Sequence, residues 1–302
     1  MHLKLAGARR IWAPPATHCA FTDLVRSQGG WLCAFREATD HHSADGSIRV
    51  LHSPDAVDWT PAALLSLPEE DLRDPKLVAL PEGRVALICG SVQSTPEGKR
   101  VRTLLFEAWA SAVPRHREIG EPGLWLWRLT FGPSGLALGL SYRPHQFVCL
   151  HATRDLESFE TLAPQLLAEG RPSEHGMAFL DDGRAVCLLR RDPGTGLVGV
   201  AKPPYRDWSW KDLGARIGGP CLVRAPGNRL IAGVRLHDGE VRTALCELDL
   251  DRGCLEERLA LPSGEDTSYP GMVLEEDRLT VSYYSSHEGP TAIYLANVCL
   301  SS

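Results

Sequence analysis

The chain has 302 residues, a net charge of -6, 43% hydrophobic and 23% charged residues, the composition of an ordinary globular protein. Phosphate binding needs concentrated Lys and Arg, and no basic patch is present, so a broad nucleic-acid surface is excluded. No run of about eighteen apolar residues occurs, and MHLKLAGARRIWAPPATHC lacks the features of a secretory signal, so the expectation is a cytoplasmic protein with no membrane partner.

In chain order, six segments share one pattern of apolar run, polar turn and second apolar run. They are DLVRSQGGWLCAFRE from Asp23, KLVALPEGRVALICGS from Lys76, WRLTFGPSGLALGLSYR from Trp127, SEHGMAFLDDGRAVCLLRRD from Ser173, CLVRAPGNRLIAGVRL from Cys221 and GMVLEEDRLTVSYYSS from Gly271. Each predicts a β-hairpin. Their turns recur at intervals of roughly 44 to 54 residues, the period of a four-stranded propeller blade. The expected fold is therefore all-β, a six-bladed β-propeller of four-stranded antiparallel blades, with residues 1–302 in one domain. Further strands are predicted at Ser47–Ser53 and Phe147–Thr153, followed by Ser53-x-Asp55-x-x-x-Trp59 and Thr153-x-Asp155-x-x-x-Phe159. These turns resemble Asp-boxes, in which Ser/Thr and Asp bond local backbone over a packed aromatic; KPPYRDW, ending at Trp208, is a looser copy. Ala292–Leu300 predicts a strand with no hairpin after it, suited to closing the ring with a strand from the other terminus. Helix is scarce, with Pro61–Leu67 the one stretch read as a turn of helix.

The nine cysteines are scattered, and Cys33, Cys89, Cys149, Cys187 and Cys246 sit inside apolar runs, which predicts reduced, buried thiols. No Cys-x-x-Cys pair and no His/Cys cluster has zinc spacing, so neither a metal nor another cofactor is expected.

Aligned on their turns, the hairpins bring Arg36, Arg190 and Arg235 to one position, six residues after Gly30, Arg184 and Arg229. Equivalent positions of a propeller face one axis, and three guanidiniums there would match a carboxylate, sulfate or phosphate. The alternative is that each caps a strand end on a nearby acid such as Glu37 or Asp192; Glu37 otherwise counts with the arginines among the ligand-facing residues. Glu174 opens the fourth hairpin at the rim where Arg190 ends it, and Tyr269 holds roughly the same place in the sixth. A Tyr hydroxyl ionises near pH 10 and acts as a nucleophile only beside a base or positive charge. Asp74, in Asp71-Leu72-Arg73-Asp74-Pro75, enters the same rim, where it would bond a sugar substituent or serve as the acid, while Arg73 either joins it or pairs with Asp71. Trp125, Trp127 and Arg128 bring either a sugar-stacking platform or a buried filler between blades. Tyr283–Gly289, with Tyr284, supplies the remaining wall.

The propeller repeat, the degenerate Asp-boxes and the order Glu174, Arg190, Arg235, Tyr269 resemble the sialidase (neuraminidase) superfamily. The resemblance implies that Tyr269 is the nucleophile, Glu174 its assisting base, and Arg190 and Arg235 two members of a triad that grips the sugar's carboxylate. Tyrosine replaces a carboxylate nucleophile there because the substrate is already anionic beside the anomeric carbon. Where the family carries an Arg-Ile-Pro segment, this chain has Thr17-His18-Cys19, which brings His18 to that place. Arg36 matches a second family arginine just upstream of the acid, so the acid is Asp45 or His42 in ATDHHSADG, with Asp74 a third candidate. The expected function is a sialidase-like glycosidase with an anionic sugar or small acid as its partner; the alternatives are a lectin-like binder, an enzyme of another class on a carboxylated metabolite, or an interaction scaffold.

Overall fold

A computed structural model describes residues 1–80, 83–107, 109–110 and 114–301. The chain opens with β1 (His2–Trp12) and then runs through blade I, formed by β2 (His18–Ser27), β3 (Gly30–Ala38), β4 (Ser47–Ser53) and β5 (Thr60–Leu65). Blade II is β6 (Glu70–Ala79), β7 (Val85–Thr95), β8 (Gly98–Phe106) and β9 (His116–Ile119). In blade III the innermost strand is split into β10 (Trp125–Leu126) and β11 (Thr130–Phe131), followed by β12 (Ala137–Arg143), β13 (Phe147–Thr153) and β14 (Glu160–Leu167). Blade IV holds β15 (Pro172–Phe179), β16 (Ala185–Arg191), β17 (Leu197–Ala201) and β18 (Trp208–Asp212), and blade V β19 (Ile217–Ala225), β20 (Arg229–Leu236), β21 (Arg242–Asp249) and β22 (Cys254–Ala260). Blade VI is β23 (Thr267–Glu275), β24 (Arg278–Ser285) and β25 (Ala292–Ser301), with β1 added along β25 as its outer strand. The sheets are antiparallel throughout, and together they form a six-bladed β-propeller.

The six hairpins read from the sequence are the inner hairpins of the six blades. The tip of the second, Pro81 and Glu82, lies outside the described residues. Ring closure through β1 and β25 pairs His2 with Ser301 and Trp12 with Ile293, so the two chain ends share one sheet. The stretch 61–67 is not helical: Thr60–Leu65 is the outer strand of blade I, held by β4 through its backbone while most of its side chains remain exposed. An edge strand with one solvated side carries no clean alternation, and so gives no period to read.

Apolar layers between neighbouring blades hold the ring. Between blades IV and V, for example, Ala178, Val186 and Leu188 pack with Leu222, Leu230 and Val234. At the β4–β5 turn Asp55 accepts bonds from the amides of Val57 (2.7 Å) and Asp58 (3.2 Å) and from the Ser53 hydroxyl (3.1 Å). Asp155 repeats this in blade III with Glu157 (2.8 Å), Ser158 (2.9 Å) and Thr153 (3.3 Å). Trp59 and Phe159 tuck under the two turns against the core. The third stretch, before Trp208, has no such carboxylate; Trp208 instead donates its indole N–H to the Tyr205 carbonyl at 2.9 Å.

Candidate active site

The innermost strands do not pair evenly. The register of β2 breaks between Ala20 and Asp23, that of β6 between Arg73 and Lys76, that of β15 between Pro172 and His175, that of β19 between Gly218 and Cys221, and that of β23 between Ser268 and Gly271. A bulge of this kind re-aims a side chain that regular pleating would send into a blade interface. Within the bulges, Phe21 (φ 62°), Asp74 (φ 49°), Gly219 (φ 55°) and Tyr269 (φ 49°) all have left-handed backbone. Non-glycine residues there cost on the order of 1–3 kcal/mol each and persist only where surrounding contacts hold them. Glu174 lies in the β15 bulge, between Pro172 and His175. The bulges thus bring Phe21, Asp74, Glu174 and Tyr269 to the same end of the inner strands.

The Tyr269 hydroxyl donates to Glu174 Oε1 at 2.6 Å, and Arg190 Nη1 donates both to that carboxylate oxygen at 2.5 Å and to the phenol oxygen at 3.0 Å. Glu174 Oε2 accepts the Gly219 amide at 2.8 Å. Burial, reinforced by the Glu174 charge, pushes the Tyr269 pKa well above its ordinary value. A free phenolate is therefore not the resting state, and the oxygen gains nucleophilic character only as its proton passes along the short bond to Glu174. The Arg235 guanidinium stacks over the Tyr269 ring at 5.3 Å, while Phe21 and Trp127 meet the ring edge-on at 5.0 and 5.9 Å. Gly219 is required beside it, since a Cβ there would lie 2.8 Å from the ring and 2.9 Å from the Tyr269 Cα.

A second group adjoins this one. Arg235 donates to the Thr267 carbonyl at 2.7 Å and to the Tyr284 hydroxyl at 2.6 Å, and Tyr284 in turn donates to Asp266 Oδ1 at 2.8 Å. The other oxygen of Asp266 meets His18 Nε2 at 2.9 Å and His41 Nδ1 at 2.8 Å. Burial opposes ionisation of Asp266, but the bonds from His18, His41 and Tyr284 outweigh it and hold the carboxyl well below the usual carboxylate range.

No protein-family model matches the sequence, and no curated relative does either. Solved structures do match. A protein of unknown function from Dyadobacter fermentans superposes with a TM-score of 0.85 at 18% identity, covering 99% of this chain and 100% of that one. An α-L-arabinanase of Penicillium chrysogenum in complex with arabinobiose gives 0.73 at 13% identity, covering 97% of this chain and 98% of that one. The sialidase of Trypanosoma rangeli gives 0.69 at 12% identity, covering 97% of this chain and 60% of that one. The likeness is one of fold.

Asp74 is a further acid whose charge acts on Tyr269 alongside that of Glu174. Burial raises its pKa to about 6 against the lowering pull of Lys76 and Arg73, and the Glu174 charge adds to the rise. Two residues on, Lys76 is buried, with Nζ over the Trp127 ring at 4.6 Å, and burial lowers its pKa. Asp23 of blade I takes a two-armed bond from Arg128 of blade III (3.0 and 3.3 Å) and the Leu77 amide of blade II at 2.7 Å, so one charge pair ties three blades together.

The remaining candidates fall elsewhere. Arg36 is fully buried and spends its donors on Asp71 (2.9 and 3.1 Å) and on the carbonyls of Asp40 (3.0 Å) and Ser43 (2.7 Å), so it braces the 40–46 loop instead of joining Arg190 and Arg235. Arg73 pairs with Asp71 at 3.0 Å and donates to the His41 carbonyl at 2.5 Å. Asp45 is exposed and bonded to Thr39, and hydrogen bonds from Ser43 and Thr39 lower its pKa to about 2, a poor proton donor near neutrality. His42 points to solvent, while its neighbour His41 turns in. Glu37 accepts from Trp12 at 2.6 Å and Arg49 at 3.0 Å, tying blade I to the end of β1. Trp127 is 2% exposed and packs behind the site as a filler. Arg191 faces away, toward Asp212 and the Thr195 carbonyl.

Sequence reasoning missed Asp266 and Lys76. Asp266 stands three residues before Tyr269 and Lys76 two after Asp74, so both belonged to the strand starts already singled out, but a lone acid or lysine there has no pattern to mark it.

Proposed function

We propose that this protein is a glycoside hydrolase that works at the axial end bearing Tyr269, with a carboxylated sugar as its substrate. The observation that carries the reading is the 2.6 Å bond from the Tyr269 hydroxyl to Glu174, with Arg190 holding both oxygens. A buried phenol bonded to a carboxylate and a guanidinium is the arrangement that nucleophilic use of tyrosine requires. In the first step the Tyr269 oxygen bonds to the anomeric carbon as its proton passes to Glu174. The glycosidic bond breaks, and the leaving oxygen takes a proton from Asp74, whose pKa of about 6 suits an acid at neutral pH. Water then attacks the anomeric carbon, returns a proton to Asp74, and Tyr269 leaves with the proton held by Glu174. Asp45 and His42 would remain outside the chemistry. Arg190 and Arg235 would bind the substrate carboxylate, with His18 on the wall beside them and the buried Tyr284 bonded to Arg235.

A second reading is an uncharged furanoside as substrate. It is favoured by the pairing of the cations, Arg190 with Glu174 and Asp192, Arg235 with Asp266, and by the fold shared with an α-L-arabinanase. Fluorogenic sialosides, uronides and α-L-arabinofuranosides, offered to wild type and Tyr269→Phe, decide between them. Turnover of an acidic glycoside that disappears in the variant supports the first reading, and turnover of arabinofuranosides alone supports the second. No turnover of any of these, or full activity in Tyr269→Phe, overturns the glycosidase reading.

A further inference from the structure

We infer that His18, His41 and Asp266 form a binding site for one divalent first-row transition ion, with Zn²⁺ the natural probe. Their ligand atoms all lie within 4.8 Å of one another, two imidazole nitrogens and one carboxylate oxygen. This donor set is the one that three-ligand zinc and iron sites use, leaving further coordination positions open to a ligand. Both imidazole nitrogens already converge on a single oxygen, Asp266 Oδ2, at 2.9 and 2.8 Å. At metal bond lengths of about 2.0–2.1 Å, tetrahedral ligands stand about 3.3 Å apart, so each nitrogen-to-oxygen distance has to open by about 0.5 Å for an ion to replace the shared protons.

Two features fit a metal better than a bare hydrogen-bonded cluster. First, the ligands are held from outside. Arg36 fixes the loop of His41 through the Asp40 and Ser43 carbonyls, and the Asp266 backbone exchanges bonds of 3.1 Å with Ser286. Second, Asp266 divides its oxygens: Oδ1 takes the Tyr284 hydroxyl at 2.8 Å and faces Arg235 at 3.6 Å, leaving Oδ2 to the imidazoles. A ligating carboxylate oriented by an outer hydrogen bond is the usual support of a metal site. The side chains of His18, Asp266 and His41 are 11%, 29% and 35% exposed, which leaves a path for the ion and a face for a ligand. These three residues are far apart in the chain, which is why linear spacing predicts no metal.

The test is titration of Zn²⁺ into chelator-treated protein by calorimetry, with Co²⁺ absorption as a second readout. A surface group, Asp249, Cys254 and Glu256, spans the same distance, and Cys299 is exposed, so the titration is run in a Cys254→Ser, Cys299→Ser background. One equivalent of ion is expected, with d–d bands free of thiolate charge transfer. His41→Ala and Asp266→Asn should abolish saturable binding, and Tyr284→Phe should weaken it about 10–100-fold. Absence of a saturable ion in this background, or binding that His41→Ala and Asp266→Asn leave unchanged, overturns the proposal. Because the readout is ion binding, it stands or falls apart from any hydrolytic activity.

Discussion

Gly219→Ala isolates what holds the proposed nucleophile. The residue has φ of 55°, and an added Cβ would approach the Tyr269 ring to 2.8 Å and its Cα to 2.9 Å, so rotating the ring alone does not relieve the contact. Left-handed backbone costs alanine about 1–2 kcal/mol. Overpacking adds about 1–3 kcal/mol. The expected loss of stability is therefore between about 2 and 5 kcal/mol. Gly227→Ala is the control, because φ there is 74° and nothing lies within 4 Å of the added carbon, leaving only the conformational part. Urea unfolding of both variants measures the difference, which is the steric share. The Gly219 amide also anchors Glu174, so displacement lengthens the 2.6 Å Tyr269–Glu174 bond, and a misplacement of about 1 Å costs on the order of 10²-fold in turnover. A Gly219→Ala protein as stable as Gly227→Ala and fully active would refute the reasoning that this bulge positions the tyrosine.

Other outcomes follow from the same geometry. Asp23→Asn removes the buried half of an ion pair and leaves the half-buried Arg128 without its counter-charge, which should cost about 3–5 kcal/mol by denaturant unfolding, whereas Arg206→Gln, at an exposed pair with Glu160, should cost about 0–1 kcal/mol. The Asp74 pKa is about 6 in the folded protein and 3.8 as a free side chain, so the folded state holds the extra proton between those values. Its contribution, about 3 kcal/mol, is present below pH 3.8 and is lost as pH rises through 6; in Asp74→Asn this part of the stability-versus-pH curve should be flat. If Asp74 is the proton donor, turnover falls above that same pH, a limb that Asp45→Asn should leave in place. Iodoacetamide applied to the native protein should label Cys299 first and Cys254 more slowly, and spare Cys33, Cys89 and Cys187, whose thiol pKa values burial pushes up; mass spectrometry reads the sites.

The propeller was legible because each inner hairpin is buried on both faces and so reads as two apolar runs around a turn, six times over. The strand without a hairpin at the C-terminus announced a shared blade, and β1 pairs with it. The outer strands were less legible, as Thr60–Leu65 shows, because an edge strand buries little and its sequence is free to vary. In the site, the bond between Tyr269 and Glu174 followed from two residues opening equivalent strands, and the hairpin alignment alone brought them to one rim.

Tertiary structure decided the rest. Register gave Arg36, Arg190 and Arg235 one position, but Asp71 from the neighbouring blade captures Arg36, and a contact between strands about 35 residues apart has no local signature. The left-handed bulges at Phe21, Asp74 and Tyr269 were equally silent, since none of these is a glycine and the surrounding packing, not local preference, holds the backbone there. His18, His41 and Asp266 meet only when the ring closes. The sequence by itself determined the repeat, and with it the blades and the rim; which charges on that rim are spent on one another was settled by side chains brought together across blades, where Coulomb energy depends on distance in space and not along the chain.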